Sequence, residues 1–342
     1  MQIWIDILSP SQVHFFNSLI HEFKNNKLML TSANFVETIQ LLKNYNIKTN
    51  IIGGIPTSRG IYKNIKILER LLYLYIRVKN FDVSLSFQNI YAPIITTKRK
   101  KKNITILDND LPFIVLPKYS SILESFLEFN YLIIPDVIPF ENIKNFVNDS
   151  TKIYQFKGYK ENIYVSNYIP DKNFMYKIPY NEYVVVRPEA LFAAYVKSKR
   201  SIVTELVSLL LKEGFNVIYL PRSHEDTKFV TGKNVYIPKE PLNGLDLCWF
   251  SQAVLTGSGT LAREAACLGV PAISFFPEKL LSVDKQLIQE GKIFHSRNIE
   301  EILEHINKFK NKREYNLSLV KNKSIKIKNY VVNLINEILN DI

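Results

Sequence analysis

Short apolar runs alternate with amphipathic stretches from the first residue onward, and this alternation constrains the fold more than any single motif does. Parallel strands need a long connection, and a helix packed on the sheet supplies it, so such a pattern builds βαβ units. In the first half the candidate strands are Gln2–Ile7, Leu28–Ser32, Thr49–Ile52, Val83–Ser86, Ile104–Leu107 and Leu132–Ile134. Between them, Gln12–Phe23 sets Val13, Phe16, Leu19, Ile20 and Phe23 on one helical face, and Asn34–Asn44 repeats that spacing.

From Phe156 to Asn181 the period lapses into a Tyr- and Lys-rich stretch that reads as a linker. A second series follows, with strands at Tyr183–Val186, Asn216–Leu220, Val235–Ile237, Ala253–Leu255 and Ala272–Phe275. Its helices are expected over Tyr195–Glu213, Leu280–Gln289 and Ile299–Lys308. The chain therefore reads as an α/β protein of two Rossmann-like domains, its parallel sheets facing an interdomain cleft. The expected divisions are 1–160, a linker at 161–181, a second domain at 182–312, and a helix at 313–342 returning toward the first domain. A length of 342 residues fits two cores better than one.

Two cysteines, Cys248 and Cys267, each among apolar neighbours, supply neither a disulfide framework nor a zinc spacing, which fits a reducing compartment. The start MQIWIDILSP reads as a strand and not as a signal peptide, and no apolar stretch has the length of a membrane span. A cytoplasmic protein is expected. The net charge of +12 calls for an anionic partner, with nucleic acid, an acidic membrane surface and a phosphorylated substrate as the three options.

The segment AVLTGSGTLAREAACLGVPAISFF, from Ala253 to Phe276, reads as strand, Gly turn, helix, Gly-Val-Pro turn and strand. Gly257 and Gly259 allow a backbone close to an oxyanion, and the helix starting near Thr260 points free amides and its positive dipole end there. Ser258 and Thr260 add hydroxyl donors, and Glu264 stands one turn on, placed to accept from ribose hydroxyls. The letters also satisfy the dinucleotide fingerprint, with Glu278 at the spacing of a ribose acid, but the motif comes too late in the strand series for a nicotinamide cofactor. Arg187 closes a strand where ligands bind in open α/β sheets, and its guanidinium can grip a diphosphate with two prongs. Arg222 and His224 end the next strand in the same way.

GSGTLAREAACLGVPAISFF resembles the C-terminal nucleotide-binding signature of GT-B proteins, which include the non-hydrolysing UDP-N-acetylglucosamine 2-epimerases and the peptidoglycan N-acetylglucosaminyltransferase. More closely, the chain resembles an archaeal and bacterial GT-B-like family catalogued as a domain of unknown function. The shared stretches are "IWIDI…P…VHFF", "GYKENIY", "VVVRPE" and "REAACLGVPAISFFP…VDK.LI..G". The resemblance implies that a nucleotide-sugar diphosphate lies against Gly257, Ser258, Gly259 and Thr260 while Glu264 holds ribose, and that the first domain is the acceptor side. This sequence has GSG where relatives carry GGG or SGG.

A glycosyltransferase needs a base for the acceptor hydroxyl, and His14, in the loop and helix after the first strand, is the first candidate. Asp6 would orient it or act instead, and Asp108 and Asp110 in ILDNDLP are further options. No metal is expected, because a helix N-terminus and Arg can carry the leaving diphosphate, and no cofactor beyond the UDP-type sugar substrate is called for. The basic run Lys98–Lys102, with the helix GIYKNIKILERLLYLYIRVKN, suggests a lipid-phosphate or glycan acceptor at an anionic membrane surface and a role in polysaccharide biosynthesis. A nucleotide-sugar 2-epimerase is the alternative enzyme, though the first-strand loop lacks the Arg-Pro-Glu motif of those proteins. A nucleic-acid-binding protein is the non-enzymatic alternative; it leaves the Gly turn and Glu264 without a role.

Overall fold

The computed structural model describes residues 1–54, 61–111, 127–191, 196–223, 225–310 and 315–342. The chain forms two compact units, Met1–Tyr164 with Ile325–Ile342, and Val165–Ser324.

Among the described residues, the first unit holds a sheet of seven parallel strands in the order β3-β2-β1-β4-β5-β6-β7. They are β1 (Gln2–Ile7), β2 (Lys27–Asn34), β3 (Asn50–Gly54), β4 (Val83–Phe87), β5 (Lys102–Ile106), β6 (Tyr131–Pro135) and β7 (Lys152–Phe156). Successive side chains of β1 alternate between faces. Ile3, Ile5 and Ile7 enter a core with Phe15, Phe16 and residues of the C-terminal helix, among them Val331, Ile335 and Ile338. Trp4 enters a second core on the other face with Ile67, Leu74, Phe81 and Ile95. Burial of each large apolar side chain contributes about 1.5–3 kcal/mol, so β1, apolar on both faces, anchors both layers.

Among the described residues, the first unit's helices are α1 (Pro10–Asn17), α2 (Val36–Asn44), α3 (Ile61–Arg77), α4 (Tyr91–Lys98), α5 (Phe140–Ile143) and α6 (Lys160–Val165). The continuous helix expected over Gln12–Phe23 divides into α1 and a 3₁₀ turn at Ile20–Phe23. The Ser18 hydroxyl donates to the His14 carbonyl at 3.2 Å, a local bond that competes with helical continuation.

The second unit's sheet of six parallel strands runs β10-β9-β8-β11-β12-β13. These are β8 (Val184–Arg187), β9 (Val217–Tyr219), β10 (Val235–Tyr236), β11 (Ala253–Thr256), β12 (Ala272–Ser274) and β13 (Ile293–His295). Its helices are α7 (Val203–Lys212), α8 (Gly244–Trp249), α9 (Gly259–Leu268), α10 (Ser282–Gln289) and α11 (Ile299–Asn307); α12 (Leu317–Asp341) then runs across the boundary at Ser324. The helix expected from Tyr195 begins at Val203, and 192–195 lie outside the described residues. Over 196–202 the backbone amides answer to carboxylates and not to a helical ladder: Lys197 and Ser198 donate to Glu278, and Ile202 to Glu189.

β7 and β13 escape the apolar pattern of the sequence because they are edge strands, short and buried on little of their surface. No helix among the described residues is long and apolar enough to cross a membrane.

Candidate functional site

In the second sheet the strand order reverses between β8 and β11, and ligands of open α/β sheets bind outside the strand ends at such a switch point. Arg187 ends β8 and is paired in register with Thr256, which ends β11. The Gly257 amide donates to the Arg187 carbonyl at 3.0 Å, and the Ser258 amide to the Thr256 hydroxyl at 2.9 Å. These two bonds fold the turn so that α9 starts at once. Ser258 takes an extended backbone as its N-cap, and no side chain caps the first turn. The first-turn amides of a helix without a cap are an anion site in waiting, and its dipole favours negative charge.

Gly257 owes its size to the protein's own packing. A Cβ built there would meet Glu189 Cγ at 2.6 Å, its Cα at 2.7 Å and its amide nitrogen at 2.8 Å. At Gly259 the nearest obstacle is the flexible end of Arg263, at 2.7 Å. That guanidinium also donates to the Gly259 carbonyl and pairs with Asp284 at 3.1 Å, so it stabilises the start of α9 from its buried side.

Glu264, half-buried on α9, lies within electrostatic reach of Arg187. Burial lowers the Arg187 pKa from its usual value and the Glu264 carboxylate opposes that, while the Arg187 Nε is buried with no hydrogen-bond partner. Both charges also act on Cys248 of α8, whose thiol is pushed well up by its complete burial. The Glu264 Oε2 stands 3.7 Å from where a Cβ on Gly244 would be, so a glycine at the start of α8 makes room for it. The structure thus gathers Arg187, Gly257, Ser258, Gly259, Thr260 and Glu264 at one set of strand ends. Arg222 lies beside them, donating through Nε to the Pro188 carbonyl at 2.8 Å. His224 lies outside the described residues.

Glu189, which the sequence offered only as the last letter of VVVRPE, ties these loops together. Its buried carboxylate pairs with Arg297 at 2.9 Å and accepts from the Ser201 hydroxyl at 2.5 Å. Arg297 in turn donates to the Phe275 carbonyl at 2.8 Å, which couples the end of β12 to that of β8. A cavity of about 320 Å³ adjoins this hub, lined by Glu189, Lys199, Arg200, Tyr219 and Asp226 among others. Glu278, at the ribose-acid spacing of the dinucleotide fingerprint, is committed instead to the amides of Lys197 and Ser198.

Each of the first unit's four candidate bases is held by partners of its own. Asp6 shares the face of Trp4, beneath α3, and is fully buried. Arg70 grips its carboxylate with two bonds of 2.8 and 2.9 Å, Thr31 donates at 2.6 Å and Asn89 at 3.0 Å. Its carboxylate is thus committed to Arg70, Thr31 and Asn89 and not to His14, which corrects the expectation that Asp6 orients that ring. His14 Nδ1 meets the Tyr45 hydroxyl at 2.9 Å, and its ring lies 5.8 Å from that of Tyr164. Burial lowers its pKa to about 4, so it is a neutral group and a weak base, against the reading that made it the first candidate.

Asp108 and Lys160 form a buried pair at 2.7 Å, to which Gln88 and Asn109 also donate. Glu161, equally buried, stands 3.7 Å from the Lys160 ammonium, and Asn142 donates to Asp110 at 2.9 Å. Lys160 and Glu161 belong to the GYKENIY stretch; its singular sequence was the one sign of them, and nothing in their letters announces burial. Among the described residues no cluster of His, Cys, Asp and Glu is arranged to hold a metal.

Solved structures share this architecture. The Methanocaldococcus jannaschii UDP-GlcNAc 2-epimerase, in complex with UDP-GlcNAc and UDP, is similar with a TM-score of 0.70 at 15% identity, covering 96% of this chain and 100% of that one. The Neisseria meningitidis UDP-GlcNAc 2-epimerase bound to UDP-GlcNAc gives 0.69 at 14%, covering 97% and 100%. Spinosyn forosaminyltransferase gives 0.62 at 11%, covering 99% of each. The fold is therefore α/β of the GT-B type. In sequence, an uncharacterised protein of Methanocaldococcus jannaschii is 25% identical over 327 residues, covering 90% of this chain and 91% of its own length. The pattern of the family described as "Protein of unknown function (DUF354)" matches residues 1–339, and the chain belongs to that family.

Proposed function

We infer that the protein is an enzyme acting on a nucleotide-diphosphate sugar, and that its reaction is metal-independent transfer of the sugar to a glycan or lipid-linked acceptor. One observation carries the reading: the uncapped start of α9 sits at the switch point beside Arg187, whose buried Nε has no hydrogen-bond partner. Such amides and a guanidinium provide what a diphosphate leaving group requires, positive charge fixed in place before the bond breaks. Glu264 would accept from the ribose hydroxyls. UDP is the preferred nucleotide, because similar folds bind UDP-GlcNAc and UDP.

Melting curves with UDP, UDP-N-acetylglucosamine and, for contrast, AMP test the binding half. Both UDP compounds should raise the melting temperature and AMP should not. Equal, null responses to all three would remove the reading.

A second reaction, epimerisation of the sugar, is favoured by the buried group of Asp108, Lys160 and Glu161, which offers both carboxylates and an ammonium for moving protons. Proton NMR of UDP-N-acetylglucosamine incubated with the protein alone separates the two. A new anomeric signal without acceptor supports epimerisation, and turnover only with added acceptor supports transfer.

A further inference from the structure

Helix α3 is amphipathic in an unusual way, because both of its faces carry apolar residues. The inner face sends Ile67 and Leu74 into the core and seats Arg70 on Asp6. The outer face shows Ile65, Leu68, Leu72 and Ile76, each more than half exposed, at steps of three and four residues that align them along one side. Single exposed apolar residues are ordinary on a protein surface, but a continuous row marks an interaction site.

The setting of that row states the chemistry of its partner. Tyr73 and Tyr75 flank it, and each is met by a cation: Arg77 lies 5.7 Å over the Tyr73 ring, and Arg99 lies 4.7 Å over the Tyr75 ring. Arg99 also donates to the Tyr75 carbonyl, which fixes the basic turn after α4 to the end of α3. Lys79, Lys98 and Lys100, all exposed, extend the positive charge at this end. The acid of α3 is Glu69, and it is paired with Lys66 at 2.6 Å. Of the basic run, Lys101 turns inward, against the Phe81 ring and carbonyl.

We propose that the outer face of α3 docks on an anionic lipid surface, with Leu68 and Leu72 entering the acyl boundary and Arg77, Lys98, Arg99 and Lys100 meeting the headgroups. Apolar side chains in a row, tyrosines with polar tips beside them and cations at the rim are the composition of an interfacial helix. A second copy of the chain is the poorer occupant, since it would bring another basic cluster and share in a net charge of +12, whereas anionic headgroups complement both. The inference does not depend on the nucleotide reading.

Flotation of the full chain with phosphatidylcholine vesicles, and with vesicles that also contain phosphatidylglycerol, tests it. The parent should float with the anionic vesicles only, and less as salt rises. Lys98→Gln and Lys100→Gln should each lower vesicle affinity about five-fold. Leu68→Gln/Leu72→Gln should abolish flotation even at low salt while leaving the thermal unfolding midpoint by circular dichroism close to that of the parent, which reports that the variant is folded. Parent protein that ignores anionic vesicles, or a double variant that floats like the parent, overturns the proposal. So does sedimentation showing a dimeric parent and a monomeric double variant, because a second copy would then own the stripe.

Discussion

Gly257 and Glu189 touch through their backbones, and a Cβ on the glycine would stand 2.7 Å from Glu189 Cα. Neither partner can yield easily, because Glu189 is held by Arg297 and Ser201. Gly257→Ala should therefore lower stability by about 1–3 kcal/mol, the usual cost of overpacking. Gly259→Ala should cost less, since its Cβ meets a side-chain end, that of Arg263, and no backbone atom. Urea unfolding of both variants checks the order, and equal midpoints would refute this account of the Gly turn.

Asp6 and Arg70 form a buried bidentate pair. Arg70→Met would leave a buried carboxylate with its countercharge gone and should cost about 3–5 kcal/mol. Asp6→Asn combined with Arg70→Met should regain part of that loss, because the uncompensated charge is removed as well. A double variant no more stable than Arg70→Met would show that Asp6 does not depend on Arg70.

These two contacts show what the sequence could and could not tell. The fold class was legible because parallel strands buried on both faces, such as β8 and β11, appear as short apolar runs. The start of α9 was legible because strand, Gly turn and helix are adjacent in the chain. What joins distant segments was not: Arg70 reaches Asp6 from 64 residues away, and Arg297 reaches Glu189 from 108. Asp6 read as the partner of His14 or its substitute as base, yet it shares the strand face of Trp4, under α3. His14 kept the polar look of a candidate base while its desolvation, which makes it a poor one, depends on Tyr45 and Tyr164.

The His14 environment predicts a pH dependence of stability. Its folded pKa, about 4, lies below the ordinary value of 6.5, so the unfolded chain binds the proton more readily. The contribution is fully present above pH 6.5 and is lost as pH falls from there toward 4. Stability curves of the parent and of His14→Gln, whose amide can still meet Tyr45, should converge as pH falls through that window. An NMR titration that places His14 near 6.5 would contradict the burial described above.

The sharpest expectation concerns Arg187 and Glu264, which differ in what part of a nucleotide they would hold. Arg187→Met removes a charged donor to the diphosphate and should weaken UDP and inorganic pyrophosphate alike, by about 1.5–3 kcal/mol. Glu264→Ala should weaken UDP by about 1–3 kcal/mol through the ribose hydroxyls, and leave pyrophosphate unchanged or tighter, because a negative charge near Arg187 has gone. Isothermal titration of both ligands against both variants gives four affinities. If Glu264→Ala instead tightens UDP as much as pyrophosphate, the carboxylate serves only to balance Arg187, and the ribose assignment falls while the diphosphate assignment stands. If Arg187→Met binds both ligands like the parent, the first turn of α9 holds the anion without it, and the two-pronged grip is withdrawn.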